Sequence, residues 1–178
     1  MTHEDILKIA REEIFSAAAI VPTGEIHFDP GFLVYCEENL CGNYGANYTC
    51  PPDCGTPEEM RRRILAHESA LVLQTKWDIA DYRDAAAIRR AKSAHNAAML
   101  RLVDQLRAAG HPGQMAGASC CILCERCARI SGEPCRHPDI AYCCMSAYCI
   151  HVRDLSERCG MDYACADGRL ALFGLYTF

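Results

Sequence analysis

The chain contains no apolar run long enough to cross a membrane. It has no excess of basic residues either. Eighteen Lys and Arg against 23 Asp and Glu leave a formal net charge of −5. That balance argues against a general polyanion-binding surface, so neither a nucleic acid nor a membrane is an expected partner. The opening stretch, Met1-Thr2-His3-Glu4-Asp5-Ile6-Leu7-Lys8, lacks the basic start and continuous apolar core of a signal peptide. The expected compartment is therefore the cytoplasm. There is no nucleophile elbow, no P-loop and no dinucleotide fingerprint, so no conventional catalytic set stands out. Gly110-His111-Pro112-Gly113 reads as a turn. No internal repeat or low-complexity linker divides the chain. At 178 residues it is long enough to bury a core, and residues 1–178 are expected to form a single cysteine-rich domain.

What the chain has instead is cysteine, 14 in all. In an exported protein these would suggest disulfides; in a reducing cytosol they suggest metal ligands or redox chemistry. The sharpest signal is Cys121-Ile122-Leu123-Cys124-Glu125-Arg126-Cys127, with Cys135-Arg136-His137-Pro138 after a short loop. Converging thiolates need a cation or a donor shell. The C-x2-C-x2-C spacing wraps one stretch of backbone around a metal–sulfur cubane and aims amide N–H groups at the sulfurs. Zinc ribbons more often use two C-x2-C knuckles set far apart. The spacing of Cys121, Cys124, Cys127 and Cys135 thus favours a [4Fe–4S] cluster, with zinc as the alternative.

A second set lies earlier, at Cys36, Cys41, Cys50 and Cys54. It sits in an irregular loop holding Gly42-Asn43-Tyr44-Gly45 and Cys50-Pro51-Pro52, where glycine and asparagine admit positive-φ turns and the prolines stiffen the chain. Four thiols in a turn-rich segment read as a second metal site, while the bland reading is a set of buried free cysteines. Tyr44 and Tyr48 are expected to cover this site. Ligand exchange between the two segments is also open, because in two-cluster ferredoxins one cysteine of a run serves the other cluster.

Six cysteines remain. Cys120 adjoins a ligand, and neighbouring residues rarely reach one metal. Cys143, Cys144 and Cys149 offer a replacement ligand, a third site or a redox pair, although each taken singly reads as a free thiol. Cys159 and Cys165 flank a turn and read as structural. His137 either tunes a cluster by donating to sulfur or is a solvated loop residue. His151 is a weaker ligand candidate, and His95 reads as a core histidine. Arg126, Arg129 and Arg136 surround the second set and can offset its negative charge.

Periodicity gives the frame. Helices are expected over Thr2–Ala19, from the capping box Thr56-Pro57-Glu58-Glu59 to about His67, over Asp81–Ala109 and over His151–Cys159. Strands are expected at Glu25–Phe28, Ala70–Thr75, Gln114–Ser119 and Leu170–Phe178. Strand, long helix, strand suggests a parallel crossover. The fold class is α+β: a small mixed β-sheet with packed helices and two cysteine-rich metal-binding loops.

Two stretches carry a family resemblance: Cys41-Gly42-Asn43-Tyr44-Gly45-Ala46-Asn47-Tyr48-Thr49-Cys50-Pro51-Pro52, and the Cys121-x2-Cys124-x2-Cys127-x7-Cys135-Arg136-His137-Pro138 run. In that order they resemble the small prokaryotic predicted metal-binding proteins of unknown function (domain of unknown function 2284). The resemblance implies metal or iron–sulfur binding and no established reaction. It matches less well at Ser146-Ala147-Tyr148-Cys149-Ile150-His151-Val152, where the family pattern has glycine at Cys149 and aspartate at His151. Those two departures offer an extra ligand particular to this chain.

The leading functional expectation is an iron–sulfur protein with one or two [4Fe–4S] clusters, acting in electron transfer or as a redox accessory to a partner protein. Two alternatives stand beside it. One is a structural zinc protein, and the other an iron–sulfur enzyme with an open cluster position acting on a small molecule. Oligomeric state is not legible in the sequence.

Overall fold

The computed structural model describes residues 1–165 and 167–178. Thr2 opens the first helix, α1 (His3–Arg11), through a reciprocal capping box with Asp5. The expected single helix to Ala19 does not form. The chain leaves α1 after Arg11 and runs as an edge strand, β1 (Ala17–Pro22). The alanine run is compatible with either state, and pairing with a neighbouring strand decides it. The expected strand at Glu25–Phe28 is also replaced. Thr23–Glu25 forms a short 3-10 turn, and only Phe28 makes a bridge, antiparallel to Ile150.

A short helix, α2 (Leu33–Glu37), leads into the first cysteine loop. Thr56 and Glu59 close the expected capping box at the start of α3 (Pro57–Leu65). The next two elements are β2 (Ser69–Trp77) and the long helix α4 (Ala85–Ala108). Helix α4 starts later than expected because the Asp84 carboxylate accepts from the N–H groups of Ala86 and Ala87, making Asp84 the cap. Then come β3 (Gln114–Gly117), the two-residue β4 (Cys143–Cys144), α5 (Val152–Arg158) and β5 (Leu170–Thr177).

The five strands lie in the order β1-β2-β5-β3-β4. Strands β2 and β3 are both antiparallel to β5. They are therefore parallel to each other, as the strand–helix–strand pattern implied, with β5 inserted between them. Strand β4 adds to β3 in parallel. The sheet is covered on both faces. Leu71 and Leu73 of β2 pack with Ile6 and Ala10 of α1 and with Met99, Leu102 and Leu106 of α4. Ala70 and Val72 point the other way, toward Met60 and Ile64 of α3 and Leu155 of α5. This explains why β2 reads as a continuous apolar run. No helix among the described residues is long and apolar enough to cross a membrane.

Two contacts seat α4 on the sheet. A Cβ at Gly174 would collide with the Met99 side chain and come within 2.8 Å of His95 Nε2, so only glycine lets the helix lie this close. Further along, Asn96 is fully buried and clamps the end of β3. Its Oδ1 accepts from the Ala118 N–H at 2.9 Å, and its Nδ2 donates to Ser119 Oγ at 2.9 Å. That clamp fixes the chain immediately before Cys120.

His95 is the core histidine expected from its place on the apolar seam. Its Nδ1 lies 2.8 Å from Thr75 Oγ1, which also accepts from Trp77 Nε1 at 2.7 Å, while Nε2 has no partner. Burial pushes its pKa down from 6.5 to about 4. Between those values the unfolded chain binds a proton that the folded chain excludes, so stability falls as pH drops through this window. From pH 7 to pH 4 this one residue should cost about 3 kcal/mol. Urea unfolding of wild type and His95→Gln across that range checks it. The two should converge in pH dependence only if His95 is not neutral and buried.

Replacing Gly174 with Ala should lower stability by about 1–3 kcal/mol through overpacking against α4. Thermal unfolding measures this. An unchanged midpoint would mean that α4 does not seat on β5 at this point.

Candidate metal centre

The two cysteine loops are stitched together. The Cys121 N–H donates to Thr49 Oγ1 at 3.2 Å, Tyr48 OH donates to the Glu133 carbonyl at 2.8 Å, and Arg129 pairs with Asp53 at 2.9 Å. Tyr44 lines the first cavity as expected, whereas Tyr48 bridges the loops and lines the second cavity instead. Asn47 holds the hinge of the first loop, accepting from both the N–H and the hydroxyl of Thr49.

Two thiol-lined cavities result. The first, of about 230 Å³, is lined by Cys36, Cys41 and Cys50 together with Cys120 and Cys144. Three of the four residues proposed for the earlier loop thus face one space. The fourth, Cys54, is buried and turns toward Cys143, whose thiol donates to it. The same pairing pulls Cys54 down and pushes Cys143 up. The second cavity is lined by Cys121, Cys124, Cys127 and Cys135, with His137 and Arg136 at its wall. The free space of this cavity is small, about 20 Å³, roughly one water's worth, but Cys124, Cys127, Arg136 and His137 also line an adjoining cleft of about 620 Å³.

The cavities meet at the Cys120–Cys121 step. Cys120 faces the first and Cys121 the second. The chain bends over residues 118–120, and the two successive side chains alternate between its sides. The same alternation acts in β4, where Cys143 enters the apolar core and Cys144 reaches the first cavity. Cys120 and Cys144 are thus members of the first site that local spacing does not disclose. The signal was the Cys-Cys doublet itself, which splits one residue to each side.

Several groups stabilise thiolate here. Cys120 is pulled down to about 7, first by the Cys50 thiol donating to it and then by the Lys92 ammonium on the cavity wall. Cys50, as the donor, is pushed up, with burial adding to the effect. Cys144 is pushed up to about 12 by burial, which the Ala147 N–H partly offsets by donating to its sulfur at 3.4 Å. Burial also raises Cys121, against N–H groups of Leu123 and Tyr142 that lower it. Arg136, paired first with Glu133, also donates to Cys124. Buried thiols with N–H and cationic donors aimed at them are groups that gain most by exchanging the proton for a metal.

Among the described residues, no three cysteine sulfurs lie within 4.8 Å of one another. A single tetrahedral zinc draws its sulfurs to about 3.8 Å, given its Zn–S length.

The other candidates lie apart from these cavities. Cys149 is buried and holds φ at 54°, a conformation natural to glycine. Cys159 is half-buried beside the apolar core, as a structural cysteine would be. Cys165 lines a separate cavity of about 420 Å³ with Tyr82, Tyr163 and Arg169. His151 caps α5 and faces neither thiol cavity.

Comparison with curated proteins and with solved structures yields no match. A family model described as predicted metal-binding protein (DUF2284) matches residues 19–176, a span that holds both cavities and the whole sheet except the first two residues of β1 and the last of β5. The chain belongs to this family of predicted metal-binding proteins.

Proposed function

We propose that this cysteine-rich protein carries one or two [4Fe–4S] clusters and serves as an electron carrier or redox accessory to a partner protein. The observation that supports this most is the pair of thiol-lined cavities set back to back across Cys120–Cys121. Consecutive Cα atoms are about 3.8 Å apart, so groups held on the two sides would be close neighbours. Thiolate-bound iron–sulfur centres supply one-electron chemistry, with a potential set by burial and by hydrogen bonds to sulfur.

The chain's own residues make the setting for that role. Cys36, Cys41, Cys50, Cys120 and Cys144 offer five thiols to the first cavity, and Cys54 stands beside them as the remaining member of the loop set. Lys92 and Arg136 offset thiolate charge, one at each cavity. The amides of Ala147, Leu123 and Tyr142 point at sulfur. The rim of the first cavity carries Leu40 and Tyr35, 89% and 64% exposed, as a contact surface for a redox partner.

A structural zinc reading is favoured at one place only. The narrow gap among Cys121, Cys124, Cys127 and Cys135 is the size of a single ion, around which the four thiols would close in.

Protein purified without oxygen should contain about eight iron and eight acid-labile sulfide per chain if both cavities take cubanes, or about four of each if one does. One or two zinc with no sulfide would retire the electron-transfer reading.

Single substitutions should separate the sites. Cys124→Ser should abolish the second centre, and Cys120→Ser should deplete the first while leaving the second loaded. Metal and sulfide analysis with electron paramagnetic resonance of the reduced protein reads both. If Cys124→Ser keeps full metal content and fold, the second assignment is wrong.

A further inference from the structure

Away from the thiol cavities, three donors of a different kind converge. His27 Nδ1 lies 2.9 Å from Asp154 Oδ2, and His151 Nδ1 lies 3.0 Å from Asp154 Oδ1. One donor atom from each residue falls within 4.8 Å of the other two. Backbone pairing builds this arrangement. The His151 N–H donates to the His27 carbonyl at 2.9 Å, the Asp29 N–H donates to the Cys149 carbonyl at 2.9 Å, and Phe28 bridges Ile150 between them. The two histidines are thereby held side by side. Their rings stack at 5.2 Å and 6°, and Phe32 packs on His151 at 5.3 Å. Both Nδ1 atoms consequently face the same carboxylate.

The hydrogen bonding leaves one conflict. The Asp154 backbone N–H donates to His151 Nδ1 at 3.3 Å, which requires a lone pair on that nitrogen. The same nitrogen faces Asp154 Oδ1 at 3.0 Å, and that oxygen is also an acceptor. Either a proton or a cation between nitrogen and carboxylate relieves this, and in both cases the long 3.3 Å contact to the Asp154 N–H gives way.

We propose that His27, His151 and Asp154 bind one first-row divalent transition cation, independently of the cysteine sites. Two imidazole nitrogens and one carboxylate form a ligand set for zinc, cobalt, nickel or ferrous iron, and too hard a set for a thiolate cluster. Tetrahedral zinc with N and O ligands sets its donors about 3.3 Å apart, so the 2.9 and 3.0 Å nitrogen–oxygen contacts would open slightly to admit the ion. His27 and Asp154 keep 57% and 40% of their side chains exposed, so further positions on the metal open to solvent. None of the three residues lines either thiol cavity. A bound ion would tie the His27 segment to the first turn of α5.

Cobalt(II) added to anaerobically purified protein that retains its native metals tests this. Equilibrium dialysis should show one additional cobalt per chain. Its visible spectrum should carry ligand-field bands without the near-ultraviolet charge-transfer bands of thiolate ligation. His27→Gln and Asp154→Asn should each weaken that binding by about tenfold or more. Both positions are partly exposed, and circular dichroism with native metal content confirms that each variant folds. Absence of a stoichiometric site, thiolate charge-transfer bands on the added cobalt, or undiminished affinity in both variants would overturn the proposal.

Discussion

The close approach of α4 to β5 at Gly174 is the contact on which the rest of the molecule depends. The 24-residue helix sets Met99 and His95 against the strand where it presents no side chain, and a Cβ there would force both to shift. Once seated, α4 delivers Asn96 to the end of β3, and Asn96 holds the backbone that leads directly into Cys120 and Cys121. The position of both cavities is therefore set from beneath by a buried amide and a missing Cβ. The metal-binding loops contribute almost no regular structure of their own. They are positioned by the sheet edge, by the three loop-to-loop contacts and by the donors aimed at their sulfurs.

The two centres differ in how they are assembled. Cys121, Cys124, Cys127 and Cys135 come from a single segment, so local backbone curvature can gather them. The first cavity draws Cys36 from α2, Cys41 and Cys50 from the loop after it, Cys120 from the bend beyond β3 and Cys144 from β4. Only the assembled sheet brings these five together. Loss of tertiary packing should therefore be felt sooner at the first cavity than at the second.

The same difference explains what could be read from the residues alone. The second set was legible because its signal is local spacing. The helices at Pro57–Leu65 and Ala85–Ala108 were legible because caps and apolar seams are local too. The stretch from Ala17 to Pro22 was not, since alanine fits helix and strand alike and the partner that decides lies some 50 residues away. Cys144 was legible only as one of three weaker ligand candidates, and Cys120 only as the neighbour of a ligand, for a related reason. Their membership depends on which way a strand faces once it is paired, and a two-residue strand has no periodicity to display. The His27–Asp154 pair spans 127 residues and depends on one backbone bridge, so no spacing rule reaches it.

Strand β5 lies between β2 and β3, yet it follows every cysteine in the chain. During synthesis all the thiols are therefore made before the strand that joins the two halves of their scaffold. The local second set can gather on its own segment at that stage, whereas the first cannot close until β5 pairs on both sides. Any metal taken up by the two cavities would thus be loaded in an order set by chain topology. Until that last strand pairs, the thiols of the first cavity lack the scaffold that gathers them.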